Sequence, residues 1–256
     1  MYGDTQWWAP SFTSDPPVFR ADYTIFMGDQ TISDTMSPIW TLERRDWSGP
    51  AISACFSLAL LLMPAPARAQ VTFEYFRGTA FNVPTPLTVT QSGYPPIRFT
   101  AHYSVRPLDD RGYYAYRLGR WKNDKGWMVE LVHHKVYLEN PTPEVEAFEV
   151  THGYNLVTIN RGWRRGGNTL LLGAGVVITH PHSTIRGQTY PQKTEYLLSG
   201  ATIQGAAARR IDFAKRLFVS AEGKFTASWA TVPVVDGHAR VPNVAFHVLA
   251  GLGIRF

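Results

Sequence analysis

From Val241 to Phe256 the chain alternates between two chemical faces. Val244, Phe246, Val248, Ala250, Leu252, Ile254 and Phe256 share one parity; Ala245, His247, Gly251, Gly253 and Arg255 share the other with Leu249. Successive strand side chains point to opposite sides, so this is a strand with one greasy face and one small or polar face, as a membrane barrel requires. The terminal Phe256 fits this, because bacterial outer-membrane barrels commonly finish on a strand whose last residue is Phe. Similar alternation predicts strands near 71–81, 111–122, 126–139, 150–164, 169–180, 196–213, 216–230 and 241–256. Connections at 123–125, 165–168 and 212–215 are tight, whereas those at 82–110, 140–149, 181–195 and 231–240 are longer. Short periplasmic turns opposite longer outer loops are the signature of an all-β, antiparallel, eight-stranded transmembrane up-and-down β-barrel over residues 70–256. Eight strands enclose an interior that side chains fill, so a solute pore is not expected. In the first outer loop, Arg98 to Val105 alternates and predicts a hairpin above the membrane, while Pro84, Pro86, Pro95 and Pro96 limit ladder pairing before it.

The first 69 residues do not belong to this pattern. Ala51 to Met63 is an apolar run too short to span a bilayer core, which needs roughly 20 residues. With Arg44 and Arg45 before it and Ala67-Arg68-Ala69 after it, the run reads as a signal peptide cleaved before Gln70. Residues 1–50, rich in Pro, Asp, Ser and Trp, read as a disordered or mis-assigned extension. Cys55 leaves with the signal, so the mature chain has no thiol for disulfides or metal. The expected location is the bacterial outer membrane, and the expected state is a monomer.

Residues 1–69 hold four basic and seven acidic side chains, leaving 21 and 13 for the mature part, a net charge of about +8. A secreted basic barrel meets the phosphates of lipopolysaccharide first, so lipid A is the expected partner and nucleic acid is not.

Parity assigns the polar residues to faces. Glu130 points inward, since a carboxylate facing hydrocarbon is costly, and Trp127, Val129 and Leu131 then face lipid. Continuing the count turns His133, Lys135 and Tyr137 outward. Gly173 and Gly175 read as interior positions, which sends Leu170, Leu172, Ala174, Val176, Ile178, His180 and His182 outward; Asn155 follows if Asn160 points inward. The outer ends of strands three to five thus gather His133, Lys135, Tyr137, Asn155, His180 and His182 at the level of the lipid A sugars. Imidazoles there can move protons or ligate a metal, Lys135 can hold a phosphate and Tyr137 can anchor at the interface. Glu222, Lys224 and Thr226 share the inward face and, with Glu130, read as an internal salt-bridge network. Trp127, Trp163 and Trp229 read as interface-belt residues.

The segments Glu130 to Tyr137 and Phe148 to Asn160, with Gly173-Ala-Gly175 leading to Pro181-His182, Tyr196 to Gly200 and Glu222 to Thr226, resemble the lipid A oxidases of the rhizobial outer membrane. The resemblance covers most of residues 111–256. It departs at His134 and His152, where the family pattern has a small polar and an acidic residue. It implies an enzyme that uses O2 as co-substrate to oxidise the proximal glucosamine of lipid A to 2-aminogluconate, releasing hydrogen peroxide. No dinucleotide fingerprint is present, so a divalent metal such as iron or copper is the economical cofactor for that chemistry. His133, His182 and His180 are the candidate catalytic residues, Lys135, Tyr137 and Asn155 the substrate-binding ones, and His133, His182 and Glu149 the metal ligands. Two other readings stand beside this one. His102-Tyr103-Ser104 places a His and a Ser on one strand face, as a lipid A deacylase would need. A small barrel also serves as a non-catalytic anchor, adhesin or surface-protection protein.

Overall fold

The computed structural model describes residues 25–27, 30–32, 69–108, 112–190 and 196–256, without the side chains of 25–27, 30–32, 151 and 152. The predicted signal run and most of the extension therefore lie outside the described residues, which resume at Ala69, beside the predicted cleavage position. Among the described residues of a first unit, Met1–Arg45, β1 (Ile25–Met27) pairs with β2 (Gln30–Ile32) as a small antiparallel hairpin.

The second unit is a closed antiparallel barrel. Its wall is β3 (Gln70–Val83), β7 (Tyr114–Lys122), β8 (Lys125–Leu138), β9 (Val145–Arg165), β10 (Asn168–Thr179), β13 (Leu197–Asp212), β14 (Leu217–Val234) and β15 (Gly237–Arg255). Each pairs with the next in sequence, and β15 pairs with β3 to complete the ring. All eight predicted strands form at the predicted places. Closure removes the exposed edges that an open sheet of this length would present.

Turns at 123–124, 166–167 and 213–216 lie at one end of the wall, together with Gln70 and Phe256. The opposite, loop end carries β4 (Thr85–Gln91), β5 (Ile97–Ala101), β6 (Tyr103–Ser104), β11 (His182–Ile185) and β12 (Gln188–Tyr190). The predicted hairpin in the first loop is β4 with β5, and Pro86 is accommodated opposite Thr100. One expectation fails: 231–240 is not a long loop. Val234 pairs with Gly237, so β14 and β15 continue as one hairpin whose tip, Val235-Asp236, is closed by Asp236 at φ 52°. The upper part of β15 gains a second neighbour there, because Gly237–Arg240 pairs with β4.

The two faces separate as the alternation predicts. Phe73, Trp127, Ile159, Leu170, Leu172, Ile203, Phe225, Phe246 and Leu252 are exposed on the outside. Inside, the chain packs polar groups as well as apolar ones. Arg117 is central: Nε donates to Glu130 at 3.1 Å and Nη2 to Glu222 at 2.7 Å, with Glu74 at 4.0 Å. Lys224 donates to Glu130 and lies 3.4 Å from Glu222. Gln204 extends the network to Asn160 at 2.7 Å, and Gly173 leaves room for that amide, since a Cβ there would sit 1.9 Å from Asn160 Oδ1. Toward the loop end His247 bridges Tyr113 and Thr226, each at 2.8 Å. The interior is filled, consistent with the small strand number.

Candidate functional site

The site is built on the outer side of β8 and β9 near the loop end. In β8 the even positions Met128, Glu130, Val132, His134 and Val136 are buried in the interior, and the odd positions from Trp127 to Tyr137 lie on the outer side. From Trp127 to Tyr137 is about 33 Å of strand, or about 25 Å along the axis at a tilt of about 40°. Trp127 near the turns and Tyr137 near the loops are therefore one hydrophobic-belt height apart.

Two register rows carry the predicted residues. In the first, Tyr114, His133 and Asn155 are successive cross-strand partners. The Tyr114 ring stacks on His133 at 4.6 Å, and His133 Nδ1–H donates to Asn155 Oδ1 at 2.7 Å. In the second, Ser104, Tyr137, Glu149 and His182 run across β6, β8, β9 and β11. Here His182 Nδ1–H donates to Glu149 Oε1 at 3.1 Å, and the Arg106 guanidinium lies 4.3 Å above the Tyr137 ring. Lys135 sits on β8 between the rows, opposite a bulge in β9: three residues of β8, His134 to Val136, face five of β9, Tyr154 back to Val150. Gly153 at φ 122° makes that bulge, a conformation that L side chains rarely adopt. His180 follows the end of β10 and packs on Tyr196, ring centroids 5.4 Å apart.

His133, Lys135, Tyr137, Asn155 and His180 are each less than a tenth exposed, although they occupy the outward parity. The patch is thus roofed by its own loop-end neighbours, while Glu149 and His182 remain one-third exposed. The accessible chemistry is the carboxylate–imidazole couple. Glu149 fixes the His182 ring through Nδ1 and leaves Nε2 to accept a proton.

Of the candidate metal ligands, His182 and Glu149 meet at 3.1 Å, but His133 does not join them. His133 is engaged with Asn155 and His182 with Glu149, in rows about 13 Å apart along β8. Among the described residues no three His, Cys, Asp or Glu side chains are close enough to hold a metal ion. The His102–Ser104 pair does not form a dyad: the Ser104 hydroxyl donates to Glu139, and the described partner at His102 is its backbone N–H, which donates to Asn140. Tyr114 and Arg106 belong to the site and were not singled out from sequence, and Tyr196 entered only through the segment Tyr196 to Gly200. For Tyr114 the signal was present, since its strand parity, set by the inward Arg117, is outward.

No protein-family pattern and no curated protein matches the chain. Among solved structures, Ail, the attachment invasion locus protein of Yersinia pestis, aligns over 73% of this chain and 97% of its own at 13% identity and a TM-score of 0.35, and so does Ail in complex with the heparin analogue sucrose octasulfate. Neisserial surface protein A (NspA) aligns over the same shares at 9% identity and a TM-score of 0.37. The assignment of this chain as an eight-stranded barrel rests on its own closed ladder.

Proposed function

We propose that this barrel spans the bacterial outer membrane and acts on lipid A at the outer leaflet, oxidising the proximal glucosamine to 2-aminogluconate. The membrane reading is supported by the large apolar side chains exposed around the wall, more than a soluble monomer leaves in contact with water. The observation that carries the enzymatic reading is the Glu149–His182 couple, exposed at the loop end of the lipid-facing wall beside a roofed patch of His133, Lys135 and Asn155. An anchor has no need of a basic, imidazole-bearing patch on that face.

In this reading His182 Nε2 takes the proton of the anomeric hydroxyl, Glu149 stabilises the imidazolium, and His133 and Lys135 shape the sugar-binding surface. The anomeric C–H and O–H bonds break, and two electrons and two protons reach O2 to give hydrogen peroxide. The lactone left behind is opened by water to the aminogluconate. The donor set described above does not assemble a three-ligand metal centre, so no step is routed through one.

The test is expression in a host whose lipid A carries a free anomeric hydroxyl, followed by mass spectrometry of the extracted lipid. A mass gain matching the aminogluconate, abolished by His182→Ala, is expected. Loss of an acyl chain with the glucosamine intact would favour the deacylase. An unchanged lipid would leave the non-catalytic barrel.

A further inference from the structure

The first register row continues below His133. Beyond Tyr114 it reaches Arg77 on β3, then Ala250 on β15 and Ala221 on β14. Arg77 is exposed on the outside of the wall, and among the described residues it takes no carboxylate partner. An arginine at that height on a lipid-facing wall is costly unless an anion meets it, and such residues are functional by default. Its neighbours differ sharply on the two sides. Upward lie the hydroxyl and ring nitrogens of Tyr114 and His133. Downward, Ala250 and Ala221 floor a hollow of about 500 Å³ walled by Tyr75, Val219 and Leu252. The cation at the far end of that hollow, Arg209, is tethered to Asn168 at 3.1 Å.

We propose that this row is a binding track for an acidic glycolipid: sugar against the half-buried Tyr114 ring that stacks on His133, acid group on Arg77, and acyl chain in the hollow over Ala250 and Ala221. Along this row Arg77 is the exposed cation between the Tyr114 ring and the alanine-floored hollow, with Phe81 exposed four residues loopward on the same strand. The planar fork of a guanidinium suits an oxyanion with two acceptor oxygens, and its stem lets the charge rise toward the headgroup layer. This deepens the lipid A reading and rests on the outward patch being its headgroup site.

The test uses the full barrel in neutral-phospholipid nanodiscs, titrated with a sugar-phosphorylated lipid A and with the same lipid after phosphatase treatment. The phosphorylated lipid is expected to bind at least tenfold more tightly. Arg77→Gln should bring the two within about twofold, and Arg77→Lys should restore part of the difference. Ala221→Phe, which fills the hollow from an exposed position, should weaken both lipids several-fold without changing their ratio. Heat-modified gel migration shows that each variant is folded. A tenfold preference that survives Arg77→Gln would overturn the track, as would equal binding of the two lipids by the unaltered barrel. Complete displacement by millimolar inorganic phosphate would assign Arg77 to free phosphate and also overturn it. Selective binding without any oxidised product would retain the track and remove the reaction; oxidised product with no effect of Arg77→Gln would do the reverse.

Discussion

His133 and His134, consecutive in β8, lie on opposite sides of the barrel wall. His133 donates outward to Asn155 at 2.7 Å, and His134 Nε2–H donates inward to Asn82 at 3.1 Å. Their replacement should therefore differ in its effect on activity. His134→Leu removes a buried hydrogen-bonded group and is expected to cost about 1–3 kcal/mol. His133→Leu, which leaves the buried Asn155 amide without that donor, should cost a similar amount while also reducing oxidised lipid A. Urea titration in micelles and lipid mass spectrometry read the two effects.

The interior network predicts a larger loss. Arg117 holds Glu130 and Glu222 and approaches Glu74. Replacing it with Met leaves three buried carboxylates facing one Lys224, and breaking a buried pair in this way costs about 3–5 kcal/mol. The expected outcome is a barrel that refolds only in milder denaturant. Replacing Arg209, which is exposed near the turns, should leave the midpoint nearly unchanged.

Leu172 is 61% exposed, and Phe246 48%. Were these surfaces wetted by water, Leu172→Arg and Phe246→Arg would shift stability by about 0.5 kcal/mol or less. In hydrocarbon each should cost about 2–4 kcal/mol near the midplane. Refolding equilibria into lipid vesicles decide between the two magnitudes, and the smaller one would remove the membrane reading.

Gly153 predicts a site defect without a contact to substrate. A Cβ at this position would lie 2.2 Å from Asn155 Nδ2, and the φ of 122° strains any L side chain. Gly153→Ala should displace the Asn155 amide, release His133 and lower product formation about as much as Asn155→Ala does, with the barrel still folded by heat-modified migration.

The wall was legible because a two-residue period is imposed along the whole of each strand by a greasy outside and a filled inside. Glu130, Glu222, Lys224 and Thr226 were assigned to one interior network by parity alone; the first three meet there, while Thr226 bonds to His247 toward the loop end. Arg117 and Glu74 obey the same parity but lack a flanking charged pattern to draw attention to them. The 231–240 segment misled because Pro233, Gly237 and Pro242 resemble loop punctuation; Pro233 and Pro242 instead sit within the β14–β15 ladder, opposite His238 and Trp229. Which of the candidate metal ligands meet could not be read for a different reason. Sequence reports which face a histidine takes, but its partner depends on cross-strand register, and register gave Asn155 to His133 and Glu149 to His182.

The upper stretch of β15 is clasped by β14 on one side and by β4 on the other, while its lower stretch zips to β3. β15 is thus the template on which the hairpin of β4 and β5 is laid down at the loop end. Ring closure and ordering of that hairpin become a single cooperative event, and an assembly intermediate in which β15 had not yet docked would carry an unformed rim.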